Sequence, residues 1–290
     1  MKKPYIFITL VNIFPIVSCA SHNRNNLSLV ESDYLGQKPP GQVAEAFAPG
    51  IVTTNGYVYG GVFTPDLTAF YFIKYSEERN QQDVILLQKV DNQWEESVFS
   101  PRKGQHLFSP DGRTMHLGKS FMELTATGEW SERKKLDVPF EDLLIMRLSS
   151  SSNGTYYFDE FKRDLTGSIR YSRKVNGQYE APKLLSETIN TGKSFHPFIA
   201  PDESYIIFDS KREDGYGDSD LYISYRQKDG SWGKAINLGD KINTEAWEAA
   251  ANVTADGKYM FFNRNIGSKN YENVDIYWVD AQFIEKLRPR

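Results

Sequence analysis

Seven side chains are of the types that hold or transform an anionic ligand: Arg147, His196, Arg212, Trp247, Glu248, Arg264 and Glu160. A guanidinium offers a planar fork that grips two oxygens of a carboxylate, sulfate or phosphate at once. Tryptophan, with Tyr57, Tyr59, Phe195 and Tyr271 nearby in pattern, supplies flat apolar surface for a sugar ring or a peptide side chain. Glu160 and Glu248, brought to one bond, could act as general acid and base. A structural role competes with each of these. Arg212 and Arg264 could pair with Asp209, Asp220 or Asp275 to hold neighbouring units together, and His196 could be a satisfied interior histidine. Arg147 and Glu248 break the internal repeat described below, which favours a ligand over a repeated staple.

Sharper motifs fail. Gly-Lys-Ser occurs at 118–120 and 192–194, but a phosphate-binding loop needs glycine at 113 or 187, where Arg113 and Glu187 stand. Gly-x-Ser-x-Gly and His-Glu-x-x-His are absent, so neither an α/β-hydrolase elbow nor a zincin site is written in the chain. The acidic run Asp214-Gly215-Tyr216-Gly217-Asp218-Ser219-Asp220 has oxygen ligands for calcium but lacks the full calcium-loop spacing and a terminal glutamate. No cofactor is expected; calcium in that loop is the one candidate metal, against a glycine-rich turn capped by aspartate.

What must position these residues is a repeat. Pro-Asp-Gly or a worn form of it stands at Pro65-Asp66, Pro110-Asp111-Gly112, Asn153-Gly154, Pro201-Asp202 and Asp256-Gly257. Each copy is followed by an aromatic or branched run: Phe70-Tyr71-Phe72, Met115-His116-Leu117, Tyr156-Tyr157-Phe158, Ile206-Ile207-Phe208, Met260-Phe261-Phe262. The anchors at 66, 111, 153, 202 and 256 recur at the spacing of solenoids and propellers. Proline and aspartate make a tight turn, and the runs are strand formers, so each copy predicts a hairpin. A second hairpin follows in each unit, as in Asp220-Leu221-Tyr222-Ile223-Ser224 and the turn Lys228-Asp229-Gly230-Ser231-Trp232 leading to Ile236. Four short strands per unit predict a β-propeller blade. The fifth unit stops near Asp280, after its third strand. Residues 44–52 match the fourth-strand pattern and are expected to complete that blade and close the ring. The fold class is therefore all-β: a single propeller of five four-stranded antiparallel blades, with six blades as the alternative, and a short helix expected over 282–287.

The units resemble the TolB-like, WD-repeat-like propeller repeats of bacterial envelope proteins. The resemblance rests on Phe108-Ser109-Pro110-Asp111-Gly112, on Asp220-Leu221-Tyr222 and Asp275-Ile276-Tyr277, and on Gly230-Ser231-Trp232. It spans about residues 35–282 and is weakest at Ser152-Asn153. It implies a propeller and an envelope location, and says little about activity, because this fold hosts binding modules and enzymes alike. By analogy, loops between second and third strands and those joining blades share one rim. There lie the starts of the innermost strands (Gly60, Gln105, Arg147, His196, Ala250) and the arginines that follow the second strands.

Residues 1–18 read as a secretory leader: Lys2-Lys3, a short apolar core interrupted by Asn12 and Pro15, and a small residue at the end. Ile16-Val17-Ser18-Cys19 resembles a bacterial lipobox, which implies lipidation of Cys19, the sole cysteine. Residues 19–34 would then be a polar tether and 35–290 the propeller domain. The absence of acid at Ala20 and Ser21 resembles outer-membrane sorting, on either the periplasmic or the surface face. The formal charge of −4 becomes −6 once Lys2 and Lys3 leave with the leader, and no basic block is present, so nucleic acid is not an expected partner. The reading is a monomeric, lipid-anchored module that binds a small molecule, glycan or protein at the channel mouth. The alternative is a glycoside hydrolase or lyase acting on an acidic glycan.

Overall fold

The computed structural model describes residues 34–54, 56–162 and 167–290. After the short strand β1 (Glu45–Ala46) the chain lays down five sheets in sequence. Blade 1 is β2 (Val58–Phe63), β3 (Ala69–Ser76), β4 (Gln81–Val90) and β5 (Gln93–Pro101). Blade 2 is β6 (His106–Phe108), β7 (Thr114–Leu117), β8 (Ser120–Glu123) and β9 (Lys134–Lys135). Blade 3 is β10 (Ile145–Ser150), β11 (Tyr156–Glu160) and β12 (Ile169–Ser172), then a small hairpin of β13 (Lys174–Val175) and β14 (Gln178–Tyr179), and the outer strand β15 (Lys183–Leu184). A helical turn, α1 (Glu187–Asn190), leads to blade 4: β16 (Lys193–Ile199), β17 (Tyr205–Lys211), β18 (Asp220–Tyr225) and β19 (Ile236–Asn237). Blade 5 is β20 (Trp247–Val253), β21 (Tyr259–Asn265) and β22 (Val274–Asp280), followed by α2 (Phe283–Lys286). The five-bladed, all-β expectation holds; six blades are not formed.

The repeated turns work as their residues dictate. In each, the side-chain oxygen of the anchor accepts the backbone N–H two residues on: Asp66 from Thr68, Asp111 from Arg113, Asn153 from Thr155, Asp202 from Ser204 and Asp256 from Lys258. Glycine takes the left-handed position that follows at 112, 154 and 257; Leu67 and Glu203 take it without glycine, at φ of 59° and 60°. Glu203 turns that strained backbone to use. Its carboxylate, swung toward blade 3, accepts Ser151 Oγ and Tyr157 OH and meets Arg226.

Ring closure is the pairing of β1 with β22, Glu45 opposite Trp278 and Ala46 opposite Tyr277. The strand is only two residues because the chain then turns inward, and Phe47 N–H still donates to Ile276 O. The Phe47 ring is fully buried and lies 4.9–6.1 Å from the rings of Phe63, Phe70, Phe261 and Trp278, which come from blades 1 and 5. A closed ring leaves no sheet edge at the seam. A phenylalanine in such a cluster contributes transfer and packing energy that alanine cannot replace, so Phe47→Ala is expected to lower stability by ~3–5 kcal/mol in urea unfolding, with loss of a single cooperative transition if the seam opens first.

The innermost strands share one irregularity. The pairing of β2, β10, β16 and β20 with the second strands slips at Tyr59/Val62, Ile145/Leu148, Phe195/Phe198 and Ala249/Asn252. Gly60, His196 and Ala250 sit in these bulges with positive φ. A bulge frees N–H groups from the ladder, and here they are capped from the blade before. Asp159 Oδ2 accepts His196 N–H at 3.0 Å, Asp209 Oδ1 accepts Ala250 N–H at 3.0 Å, and Asn263 Oδ1 accepts Gly60 N–H at 2.7 Å. Asp159 Oδ1 also caps Met146 and Arg147 in its own blade. Blades 1 and 2 carry Ile73 and Leu117 at that second-strand position, and blade 2 is the smallest sheet.

Candidate functional site

The bulges build the floor and wall of a cavity of about 580 Å³ at the mouth of the central channel. His196 is central to it. Its backbone is fixed by Asp159, and its ring Nδ1 meets Asp209 Oδ1 at 2.9 Å and Oδ2 at 3.1 Å, so Nδ1–H donates and Nε2 is the nitrogen left for the cavity. Burial alone would lower the imidazole pKa, but Asp209, and Asp159 behind it, outweigh burial and the repulsion of Arg147 and hold it above the ordinary histidine value. The two carboxylates thus favour the imidazolium form, in which Nε2–H is a charged donor toward the cavity.

An aromatic wall stands beside it. Tyr57 stacks on Tyr59 at 6.0 Å and 15°, Tyr59 on Trp247 at 6.3 Å and 22°, and Tyr271 meets Trp247 edge-on at 5.3 Å. The Arg102 guanidinium lies 5.5 Å from the Tyr59 ring centre and donates to Tyr57 OH at 3.2 Å and to Gln82. Lys193, Lys211 and Lys269 complete a mostly cationic rim, against which Asp218 pairs with Lys211 at 3.0 Å. A ring-bearing anion could stack on the wall while its charge meets His196 and the rim.

The seven side chains expected to form the site divide sharply. His196 and Trp247 line the cavity. Arg147 does not: it is 2% exposed and reaches from blade 3 past blade 4 to blade 5, donating to Ala250 O at 2.8 Å and Ala251 O at 2.9 Å. It is a plug across the channel beneath the mouth, with its fork turned to backbone. Glu248 is fully buried, bound by Arg264 Nε at 2.7 Å and by Thr244 Oγ1 and N–H. Arg264 also donates to Ile242 O and lies 4.2 Å over Tyr277. Arg212 repeats that staple one blade earlier, donating to Thr188 O and Ile189 O and lying 4.4 Å over Tyr222. The staple is real, but its partners are carbonyls, Ser210 and Glu248 in place of the expected Asp209, Asp220 and Asp275. Glu160 pairs with Arg170 at 2.7 Å. Glu160 and Glu248 are thus each held in an ion pair away from the cavity lining, and the two-carboxylate arrangement expected of a glycosidase is not assembled from them. In the acidic loop, Asp220 accepts Tyr216 N–H, Gly217 N–H and Asn237 Nδ2, which is the capped-turn role. Cys19 and the leader lie outside the described residues.

Sequence reasoning missed Arg102, Lys193, Lys211 and Lys269. All lie next to blade connections or at strand ends, where alignment on the turn anchor has no fixed position. Only Arg102 and Lys193 stand beside innermost strands, β6 and β16; Lys211 ends a second strand and Lys269 lies in the connection after one.

Two further cavities compare poorly. One of about 320 Å³ on the turn face has no charged lining residue. One of about 650 Å³ lies beside blades 2 and 3, walled by Phe121, Phe140, Tyr156 and Tyr179. That second cavity also holds a histidine, His116 bonded to Ser150 Oγ at 3.0 Å, with the stacked Tyr156–Tyr179 pair and Lys135 and Lys174. Burial lowers the His116 pKa to about 4, whereas the mouth histidine is held by a carboxylate that favours its charged form.

No protein-family model matches the chain, and no curated protein matches it. Among solved structures it is similar to a putative TolB of Agrobacterium tumefaciens, at 14% identity and TM-score 0.45 over 78% of both chains. It is also similar to a gluconolactonase of Xanthomonas campestris (9% identity, TM-score 0.50, 83% of this chain and 93% of that one). An endo-arabinase of Bacteroides thetaiotaomicron is similar at 12% identity and TM-score 0.49, over 83% and 96% of the two chains. At these identities the likeness is one of fold, the propeller that the turn motifs implied. Among the described residues no helix is long and apolar enough to cross a membrane.

Removing a staple leaves buried groups unpaired. Arg147→Ala strands two carbonyls at about 1–3 kcal/mol each, and Glu248→Ala leaves Arg264 as a poorly compensated cation at about 3–5 kcal/mol. Both variants are expected to unfold well before the parent in thermal and urea melts.

Proposed function

We propose that the protein is a lipid-anchored envelope binding module whose channel mouth captures an acidic carbohydrate. The observation that carries this reading is the juxtaposition, in one cavity, of the Tyr57–Tyr59–Trp247 stack with the Asp209-held His196. Flat aromatic faces match the apolar faces of a pyranose ring, and a charged N–H donor with a rim of lysines matches its carboxylate. The Arg147 plug favours end-on capture at the mouth over passage through the ring. The enzyme alternative has less support, since Glu160 and Glu248 are engaged elsewhere.

Anchoring rests on the leader and on Cys19. A lipidated N-terminus carries the several acyl chains that stable membrane attachment needs. Cys19→Ala is expected to move the protein from the membrane to the soluble fraction; persistence at the membrane after a high-salt wash would refute the anchor.

The ligand reading is tested by calorimetric titration of the purified full chain with uronic-acid disaccharides. Trp247→Ala is expected to weaken binding at least about tenfold, roughly 1.4 kcal/mol, as truncating an aromatic anchor does. Because the His196 cation exists below its raised pKa and is lost above it, affinity should fall as pH rises through that pKa, and His196→Gln should flatten that dependence. Neutral disaccharides binding as tightly as acidic ones would remove the anionic part of the reading.

A further inference from the structure

The rim of the mouth is uneven. Between second and third strands, blades 4 and 5 carry the connections 212–219 and 266–273, whereas blade 2 has only Gly118-Lys119. Blade 2 also has the shortest strands, of three, four, four and two residues. The wall is therefore low there, and a groove of about 310 Å³ opens over blade 2. Its charged lining is Arg102, Lys103, Lys119, Arg133 and Lys135, with no carboxylate among the described lining residues. Lys134, between two of them, is paired with Glu123.

The floor is backbone at close quarters. A Cβ at Gly104 would lie 2.5 Å from Leu117 O, and one at Gly118 would lie 2.5 Å from Ile145 O, so no side chain can fill the groove from those positions. Arg102, Gln105 and Met146 line both the groove and the mouth cavity, which makes the two continuous. Gln105 stands at that junction, 6% exposed, with its buried amide oxygen lacking a protein partner among the described residues. Buried polar atoms are nearly always paired, and a turn of the Gln105 side chain toward the wall shared by the two cavities would let a hydroxyl-bearing chain lying from mouth to groove supply the donor.

We propose that this groove is a second subsite, which binds the successive carboxylate-bearing units of an acidic oligosaccharide whose end occupies the mouth. The proposal rests on the mouth reading above and extends it from a single sugar to a chain. Three features select an oligouronate over an acidic peptide: the stacked rings at the mouth end, the amide at the junction, and cations spread over three separate segments (Arg102 and Lys103 before β6, Lys119 in the β7–β8 turn, Arg133 and Lys135 at β9), as suits charges spaced along a rigid chain.

The test is calorimetric titration of the full chain with alginate-derived disaccharide and hexasaccharide, the carboxyl-reduced hexasaccharide, and oligo-aspartate of matched charge. The variant is K103E/R133E/K135E, at three exposed positions; K103Q/R133Q/K135Q repeats the test if charge reversal lowers the melting temperature. The hexasaccharide should bind about tenfold more tightly than the disaccharide, the combined weight of a few exposed ion pairs. That advantage should vanish in the variant, in the reduced ligand and at high salt, while disaccharide affinity stays unchanged. Equal affinities for both lengths in the parent, an undiminished advantage in the variant, or oligo-aspartate binding as tightly as the hexasaccharide would each overturn the groove while leaving the mouth standing. Absence of binding by either saccharide would overturn the mouth reading and the groove with it.

Discussion

Asp209 is the side chain on which the site and its frame both depend. One carboxylate accepts the bulge N–H of Ala250 in the next blade and the Nδ1–H of His196 in its own. Asp159 does the equivalent work one blade earlier, capping His196 N–H and two residues of its own innermost strand. Hydrogen bonds to a buried charged acceptor are each worth about 1.5–3 kcal/mol, more than neutral ones. They act across blade boundaries, so they fix the rotation of one sheet against the next as well as the histidine they hold. A catalytic or binding geometry on a propeller needs that rotation set to a fraction of an ångström, and the capped bulge sets it at the ring position where a ligand would enter.

The same logic explains the channel. Five innermost strands converge on an axis with room for few large side chains. Arg147 crosses it from blade 3 to blade 5 and satisfies two carbonyls that the bulge of β20 leaves out of the ladder. A buried cation is a poor source of net stability but a strong discriminator between arrangements, since any slip of blade 5 leaves it unpaired. Closure by β1 and the Phe47 cluster then seals the seam with apolar area in place of charge.

The fold was legible because its signal is local and repeated. Each anchor aspartate or asparagine caps its own turn, and each following run alternates as a strand, so five copies spell five blades. The short strand at Glu45–Ala46 was legible by subtraction, from the missing fourth strand of the last unit. Trp247 and His196, read as lying at strand starts on the mouth, do line its cavity. Arg147 and Glu248 were misread for a physical reason: departure from a repeat was taken to mean a ligand, yet an axis that holds a single arginine must break the repeat too. Glu248 and Thr244 complete the Arg264 staple in a way that Arg212, bonded to Ser210, does not need. The cations of Arg102 and of the blade 2 groove escaped notice because they lie in connections, where spacing is free.

The claim most exposed to test is that Asp209 and Asp159 keep His196 charged toward the mouth. Titrating the imidazole resonances of the full chain by NMR reads this directly. The account predicts that His196 titrates above the ordinary value of about 6.5, that Asp209→Asn lowers it, and that an acidic saccharide raises it further. A His196 that titrates at or below the ordinary value, and does not move on adding the acidic saccharide, would contradict the account.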